Sequence, residues 1–98
     1  MDFKVILSPR AIQDLREIVR YIAFDNPTVA EKFGFELINK PRTLATFPEI
    51  GREVPELNDP NIREIIFKSY RIVYRVRKEK NVVEVSRFWH TARGTPIS

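Results

Sequence analysis

The sequence predicts a small α+β domain: an N-terminal strand, then a two-helix hairpin packed on a small antiparallel sheet, in the order β-α-α-β-β-β. Three observations carry this reading. Two apolar stripes at helical spacing each begin at an Xaa-Pro pair, Ser8-Pro9 and Asn26-Pro27. Three strand-like segments follow, joined by links that suit only antiparallel neighbours. A chain of 98 residues has room for one domain, taken as residues 1–98.

Phe3, Val5 and Leu7 alternate with Lys4 and Ile6, which predicts a short strand. Ser8 is placed to cap the first helix, and Pro9 falls at its first position, where a missing N–H is harmless. Ala11, Leu15, Ile18, Val19 and Ile22 form the apolar stripe; Asp14, Arg16, Glu17 and Arg20 lie off it and are expected to face water. Asn26 and Pro27 repeat the capping pattern for a second helix with the stripe Val29, Ala30, Phe33, Leu37 and Ile38. Pro41 removes a helical hydrogen bond, so a break is expected near Asn39-Lys40, with a further turn through Leu44 and Phe47. Residues 48–61 read as a loop, with Gly51 at a turn that uses its backbone freedom.

The strand segments are Ile62 to Phe67, Tyr70 to Arg77 and Val82 to Trp89. In the middle one, Tyr70, Ile72, Tyr74 and Val76 share one face and Arg71, Val73, Arg75 and Arg77 the other. Unpaired buried arginines are very costly, so the tyrosine face is expected against the helices and the arginine face open to solvent. The expected core joins Leu15, Ile18, Ile22, Phe33, Leu37, Ile72 and Tyr74, and the tail Thr91–Ser98 is expected to fray.

Composition narrows the function classes. The chain is 43% hydrophobic and 31% charged, as in a folded soluble domain. It has no cysteine, which excludes disulfides and leans towards the cytoplasm. No apolar run suggests a signal peptide or a membrane span. One histidine and no cysteine make a poor metal site, and no cofactor or metal is expected. Charge is uneven: residues 1–61 carry eight basic and ten acidic side chains, residues 62–98 nine and three. A basic C-terminal third suggests an acidic partner or a nucleic acid.

Several stretches resemble one known family. They are Leu15-x-x-Ile18-x-x-Tyr21-Ile22-Ala23 with Asp25-Asn26-Pro27, then Phe47-Pro48-x-x-Gly51-Arg52-x-x-Pro55-Glu56. Next come Arg63-Glu64 with Tyr70-Arg71-Ile72-Val73-Tyr74-Arg75, and finally Val85-x-x-Phe88-Trp89-His90-x-x-Arg93. In order and spacing these resemble ParE-type toxins of bacterial type II toxin–antitoxin pairs, within the ParE/RelE superfamily, over about residues 3–94. The resemblance implies a toxin neutralised by a cognate antitoxin, with DNA contact mainly through that antitoxin. It leaves two targets. ParE-like members inhibit DNA gyrase and are not enzymes; RelE-like members are ribonucleases that cut mRNA in the ribosome. A degenerate, non-toxic member is a third reading.

For a ribonuclease, the candidate catalytic residues are Arg63, Arg71, His90 and Arg93. Attack by a 2′-hydroxyl needs a base, a cation at the phosphate and an acid for the leaving oxygen. Position 65, where the resemblance implies a second basic residue, is Ile65, and no tyrosine follows Tyr74. Both departures favour the gyrase inhibitor. For binding a target or antitoxin, the candidates are Arg71, Arg75, Arg87, Trp89, His90 and Arg93, with Trp89 as a potential anchor beside Arg87.

Overall fold

The computed structural model describes residues 2–96. Strand β1 (Lys4–Leu7) leads into helix α1 (Pro9–Asp25) and helix α2 (Pro27–Asn39), and a 3₁₀ segment, Lys40–Ala45, continues from α2. Strands β2 (Arg52–Glu53), β3 (Ile62–Phe67), β4 (Tyr70–Arg77) and β5 (Val82–His90) follow, and a last 3₁₀ turn covers Thr91–Arg93. The helix starts are those the capping pattern predicts. Ser8 Oγ accepts from Ala11 N–H at 3.0 Å and Asn26 Oδ1 from Val29 N–H at 3.1 Å. The helical path changes to 3₁₀ at Lys40, next to Pro41, as expected from the missing N–H.

The sheet order is β1-β5-β4-β3-β2. The meander β3-β4-β5 is antiparallel, as the short links predict. β1 enters parallel to β5, because the helical hairpin acts as a long crossover, so the sheet is mixed. β2, inside the predicted loop, is a two-residue strand on the edge of β3.

Both helices pack on one face of the sheet. Ile18, Leu37, Ile72, Tyr74, Val83, Val85 and Phe88 are buried in one cluster, with Leu15, Ile22 and Phe33 packed against it. The predicted core residues are therefore together. At Gly34 an added Cβ would lie 2.9 Å from Val19 Cγ2, so this glycine sets how closely α1 and α2 approach. Val29 and Ile38 leave the predicted stripe and are 51% and 43% exposed. A short helix lying on a sheet buries a narrower arc than a five-residue stripe.

The opposite face differs from expectation. It is not an open basic surface: Val54, Ile62 and Val73 form a second small core there, and Arg71 and Arg87 are buried. The loop after β2 and the chain after β5 fold over it. The tail, expected to fray, is anchored as far as it is described: Pro96 is fully buried and Gly94 O accepts from Trp89 Nε1 at 3.1 Å. Ile97 and Ser98 lie outside the described residues.

Leu37 is fully buried at the α2–sheet contact. Leu37→Ala should lower unfolding free energy by about 2–5 kcal/mol. Phe24→Ala, at a 94% exposed side chain, should change it little. Urea unfolding of both variants tests the layer assignment, and equal losses would contradict it.

Candidate functional site

Of the candidate residues, Arg71, Arg87, Trp89, His90 and Arg93 sit around the end of the sheet where β4 and β5 outrun β1, whereas Arg63 and Arg75 do not. β1 pairs with β5 only as far as Leu7–Val85, so among the described residues β5 has no strand on that side from Ser86 onward. A register shift also falls here: Val73 pairs with Arg87 and Tyr74 with Val85, which leaves Ser86 as a bulge. Ser86 Oγ donates to Val73 O at 3.2 Å, and Ser8 Oγ donates to Ser86 O at 3.1 Å. The extra residue resets the alternation. Val85 and Phe88, three apart, both face the helices, while Arg87 and Trp89 turn the other way.

Asp14 of α1 closes this edge. Its Oδ2 accepts from Phe88 N–H at 3.1 Å, an amide with no strand partner. Arg87 reaches round the edge to the same carboxylate, with Nε 2.7 Å from Oδ2 and Nη2 3.0 Å from Oδ1. Both side chains are only 5% exposed. The expectation that Asp14 faces water is thus overturned. A buried arginine needs a carboxylate, and the solvent-side appearance of Asp14 on the helix did not reveal one across the fold.

Arg71 is engaged in the same way from the neighbouring strand. Its Nε lies 2.6 Å from Glu64 Oε1, and Nη2 and Nη1 grip Glu56 at 2.8 and 3.0 Å. A longer contact of 3.4 Å joins Nη1 to Gly94 O. Glu64 is fully buried and takes Arg52 Nε on its other oxygen at 2.6 Å. The Arg71 guanidinium holds the Glu56 carboxyl down at about 2, and the carboxylates in turn push the arginine up. Glu56 is thus a bidentate partner, each of its oxygens taking one terminal nitrogen of the guanidinium.

Arg63 serves the loop before β2. Its Nη1 donates to Gly51 O at 2.8 Å, and its Nε is buried without a hydrogen-bond partner among the described residues. Gly51 N–H donates to Tyr74 Oη at 3.0 Å. A Cβ on Gly51 would lie 2.5 Å from Glu64 O and 2.6 Å from Tyr74 Oη. Space, and not the backbone freedom expected from sequence, is what requires glycine here. Burial pushes the Tyr74 phenol up from its ordinary value. Arg75 lies 3.7 Å from Asp59 in a half-exposed pair.

Trp89 is buried under the tail. The Arg87 and Arg93 guanidinium carbons lie 4.7 and 4.1 Å from its ring centroid. His90 is on the other side of the sheet: it pairs with Tyr70, whose ring it meets edge-on at 5.1 Å. His90 Nδ1 accepts from Ala92 N–H at 3.1 Å and so caps the turn that carries Arg93. His90, Tyr70, Tyr21, Glu17 and Arg93 line an open cleft of about 530 Å³ between α1 and the strand ends. Burial, followed by the neighbouring Tyr21, pushes the Tyr70 phenol up.

The structure therefore groups His90 with Arg93 in the cleft, but sets Arg71 on the opposite face and Arg63 against the Gly51 loop. Asp14, Glu56 and Glu64 were missed as partners. For Glu64 a signal existed. The two-residue link Lys68-Ser69 fixes the register Phe67–Tyr70, which puts Glu64 opposite Val73 and one diagonal step from Arg71. For Asp14 and Glu56, 73 and 15 residues from their arginines, none did. Among the described residues no group of three or more His, Cys, Asp or Glu is placed to hold a metal ion, and no helix is long and apolar enough to cross a membrane.

The family model for the ParE toxin of the type II toxin–antitoxin system parDE matches residues 5–94. Among solved structures, the chain is similar to a chromosomal ParDE toxin–antitoxin system from P. aeruginosa. That match has a TM-score of 0.74 at 18% identity and covers 90% of this chain and 95% of the other. It is also similar to the isolated E. coli RelE toxin, with a TM-score of 0.61 at 23% identity, covering 94% and 87%. The intact E. coli RelBE toxin–antitoxin complex gives 0.59 at 24%, covering 90% and 95%. At these identities the structural likeness is one of fold. No curated protein matches by sequence.

Two measurements test the buried pairs. Asp14→Ala leaves Arg87 and Phe88 N–H without their shared acceptor and should cost about 3–5 kcal/mol; the double variant Asp14→Leu/Arg87→Met should recover part of it. A double variant as unstable as the single would show that the pair is not what is lost. Glu56 is held below its ordinary 4.5, at about 2, so its pairing adds stability that is present above pH 4.5 and lost as pH falls through about 2. Glu56→Gln should flatten the dependence of the urea midpoint on pH across that window, and parallel curves for variant and wild type would contradict the pairing.

Proposed function

We propose that this chain, which belongs to the ParE toxin family of type II toxin–antitoxin systems, is a cytoplasmic toxin held inactive by a cognate antitoxin and acting on DNA gyrase by binding it. In this reading the antitoxin supplies most of the contact with DNA.

One observation carries the preference for binding over RNA cleavage: the arginine at the centre of the candidate nuclease set is already saturated by carboxylates. Arg71 faces Glu56 and Glu64 through all three of its nitrogens. A scissile phosphate brought there would meet two negative charges. Cleavage also requires acid and base on the same side as the cation. Here His90 lies across the sheet from Arg71, with Nδ1 engaged by Ala92 N–H. The last tyrosine, Tyr74, is buried against Gly51 N–H. A gyrase inhibitor needs none of this chemistry. It needs a stable surface, and the same ion pairs supply rigidity.

The second reading, a RelE-like ribonuclease, draws on the cleft at His90. Tyr70, Glu17 and Arg93 there are groups able to bind or move protons beside one histidine.

Purified toxin, added separately to a gyrase supercoiling assay and to ribosomes programmed with mRNA, distinguishes the two. Inhibited supercoiling with intact mRNA is the expected result. His90→Gln, which keeps a hydrogen-bonding side chain, should leave that inhibition largely unchanged. Cleaved mRNA with normal supercoiling, reduced roughly 10²–10⁴-fold by His90→Gln, would overturn the proposal in favour of the nuclease.

A further inference from the structure

We propose that His90 is a proton-operated latch: neutral, it holds the C-terminal segment closed over Trp89, and by taking up a proton it releases that segment. The latch is built from residues of this chain alone and does not rest on the proposed target.

The closed form requires one state of the imidazole. His90 Nδ1 accepts a hydrogen bond from Ala92 N–H at 3.1 Å, as the cap of the 3₁₀ turn Thr91–Arg93. A ring nitrogen accepts only through its lone pair, so Nδ1 carries no proton and the ring's single proton is on Nε2. An imidazolium donates from both nitrogens. Nδ1–H and Ala92 N–H would then point at each other, and the cap would become a contact of two donors.

The capped turn carries the cover of Trp89. Thr91 N–H donates to Ser69 O at 2.8 Å, which ties the start of the turn to the link between β3 and β4. Arg93 then lies on the Trp89 ring, 4.1 Å from its centroid. The chain reverses at Gly94, where φ is 81°, a value that suits glycine. Gly94 O thereby accepts from Trp89 Nε1 at 3.1 Å and meets Arg71 Nη1 at 3.4 Å. Loss of one hydrogen bond shifts such a local equilibrium by roughly two- to tenfold. Opening beyond Thr91 breaks the indole bond and takes Gly94 O away from Arg71.

The charges around His90 come from three elements. Asp14, Glu17 and Tyr21 face the cleft from α1, Tyr70 from β4 and Arg93 from the turn. Asp14 is taken up by Arg87, so Glu17 is the carboxylate that favours the imidazolium, and Arg93 opposes it. Histidine ordinarily changes charge between about pH 5 and 8. Closure is therefore supported at the alkaline end of that window and weakened towards its acid end. The chain has one histidine and one tryptophan, so switch and reporter are each unique.

The test is NMR hydrogen exchange of the Trp89 indole N–H in the full chain, expressed as protection relative to free N-acetyl-tryptophanamide at the same pH. From about pH 8 to about pH 5, protection should fall roughly two- to tenfold. The amide of Val83, fully buried in β5, should keep its own protection. His90→Asn supplies an oxygen that caps the turn at either pH and should hold the indole protected at both. His90→Ala should leave it weakly protected at both. Wild-type protection that ignores pH overturns the latch. So does a fall in His90→Asn parallel to wild type, since another group would then be titrating. An equal fall at Val83 overturns it too, because the whole fold would be loosening. If His90→Ala fails to fold, wild type and His90→Asn decide the matter.

Discussion

The helix layer and the sheet are tied together by a buried carboxylate. Asp14 sits where α1 passes the end of β5 that β1 does not cover, and it accepts three hydrogen bonds there, two from Arg87 and one from Phe88 N–H. Removing a charge pair from water costs free energy, which close bidentate geometry and a third donor offset. What the pair contributes is position. It fixes α1 against one point of one strand, and the bulge at Ser86 decides which side chains that strand then offers to each face.

Much of the rest depends on that bulge. With regular alternation from Val85, Arg87 would face the helices. With one extra residue Phe88 does so, and Arg87 and Trp89 move to the other face. Trp89 then needs cover, which the tail supplies through Gly94 O and Arg93. Ser8 links the two ends of this arrangement, since one hydroxyl caps α1 and binds the bulged residue's carbonyl. Strand, helix start, bulge and tail form one connected unit at the end of the sheet where the cleft of His90 opens.

The second carboxylate cluster changes the electrostatics of the basic C-terminal third. Its excess of arginine suggests a cationic face, yet Arg71 and Arg87 are neutralised within the fold by residues from the N-terminal 61. The positive groups left near the surface are scattered over several elements, among them Lys4 and Arg42 beside β1, Arg16 and Arg20 on α1, Lys78 and Lys80 between β4 and β5, and Arg93 at the cleft. Such a distribution suits acidic polypeptide contacts at separate points better than a continuous nucleic-acid track.

Local signals determined the elements. Ser8-Pro9 and Asn26-Pro27 place helix starts because capping acts within four residues, Pro41 breaks α2 through its own missing N–H, and short links of two and four residues make β3, β4 and β5 antiparallel. The pattern of residues along the chain also determined the family, whose model matches residues 5–94. Only the tertiary structure decided what each charge does. Asp14 and Arg87 are 73 residues apart, and a carboxylate on a helix looks the same in sequence whether it faces water or a buried guanidinium. The bulge at Ser86 likewise has no local signature, yet it sets the facing of every side chain after it. Hence the helices and the four longer strands were legible from short-range rules, while β2, the closed arginine face, the anchored tail and the parallel entry of β1 were not: each depends on which distant segments the folded chain brings into contact.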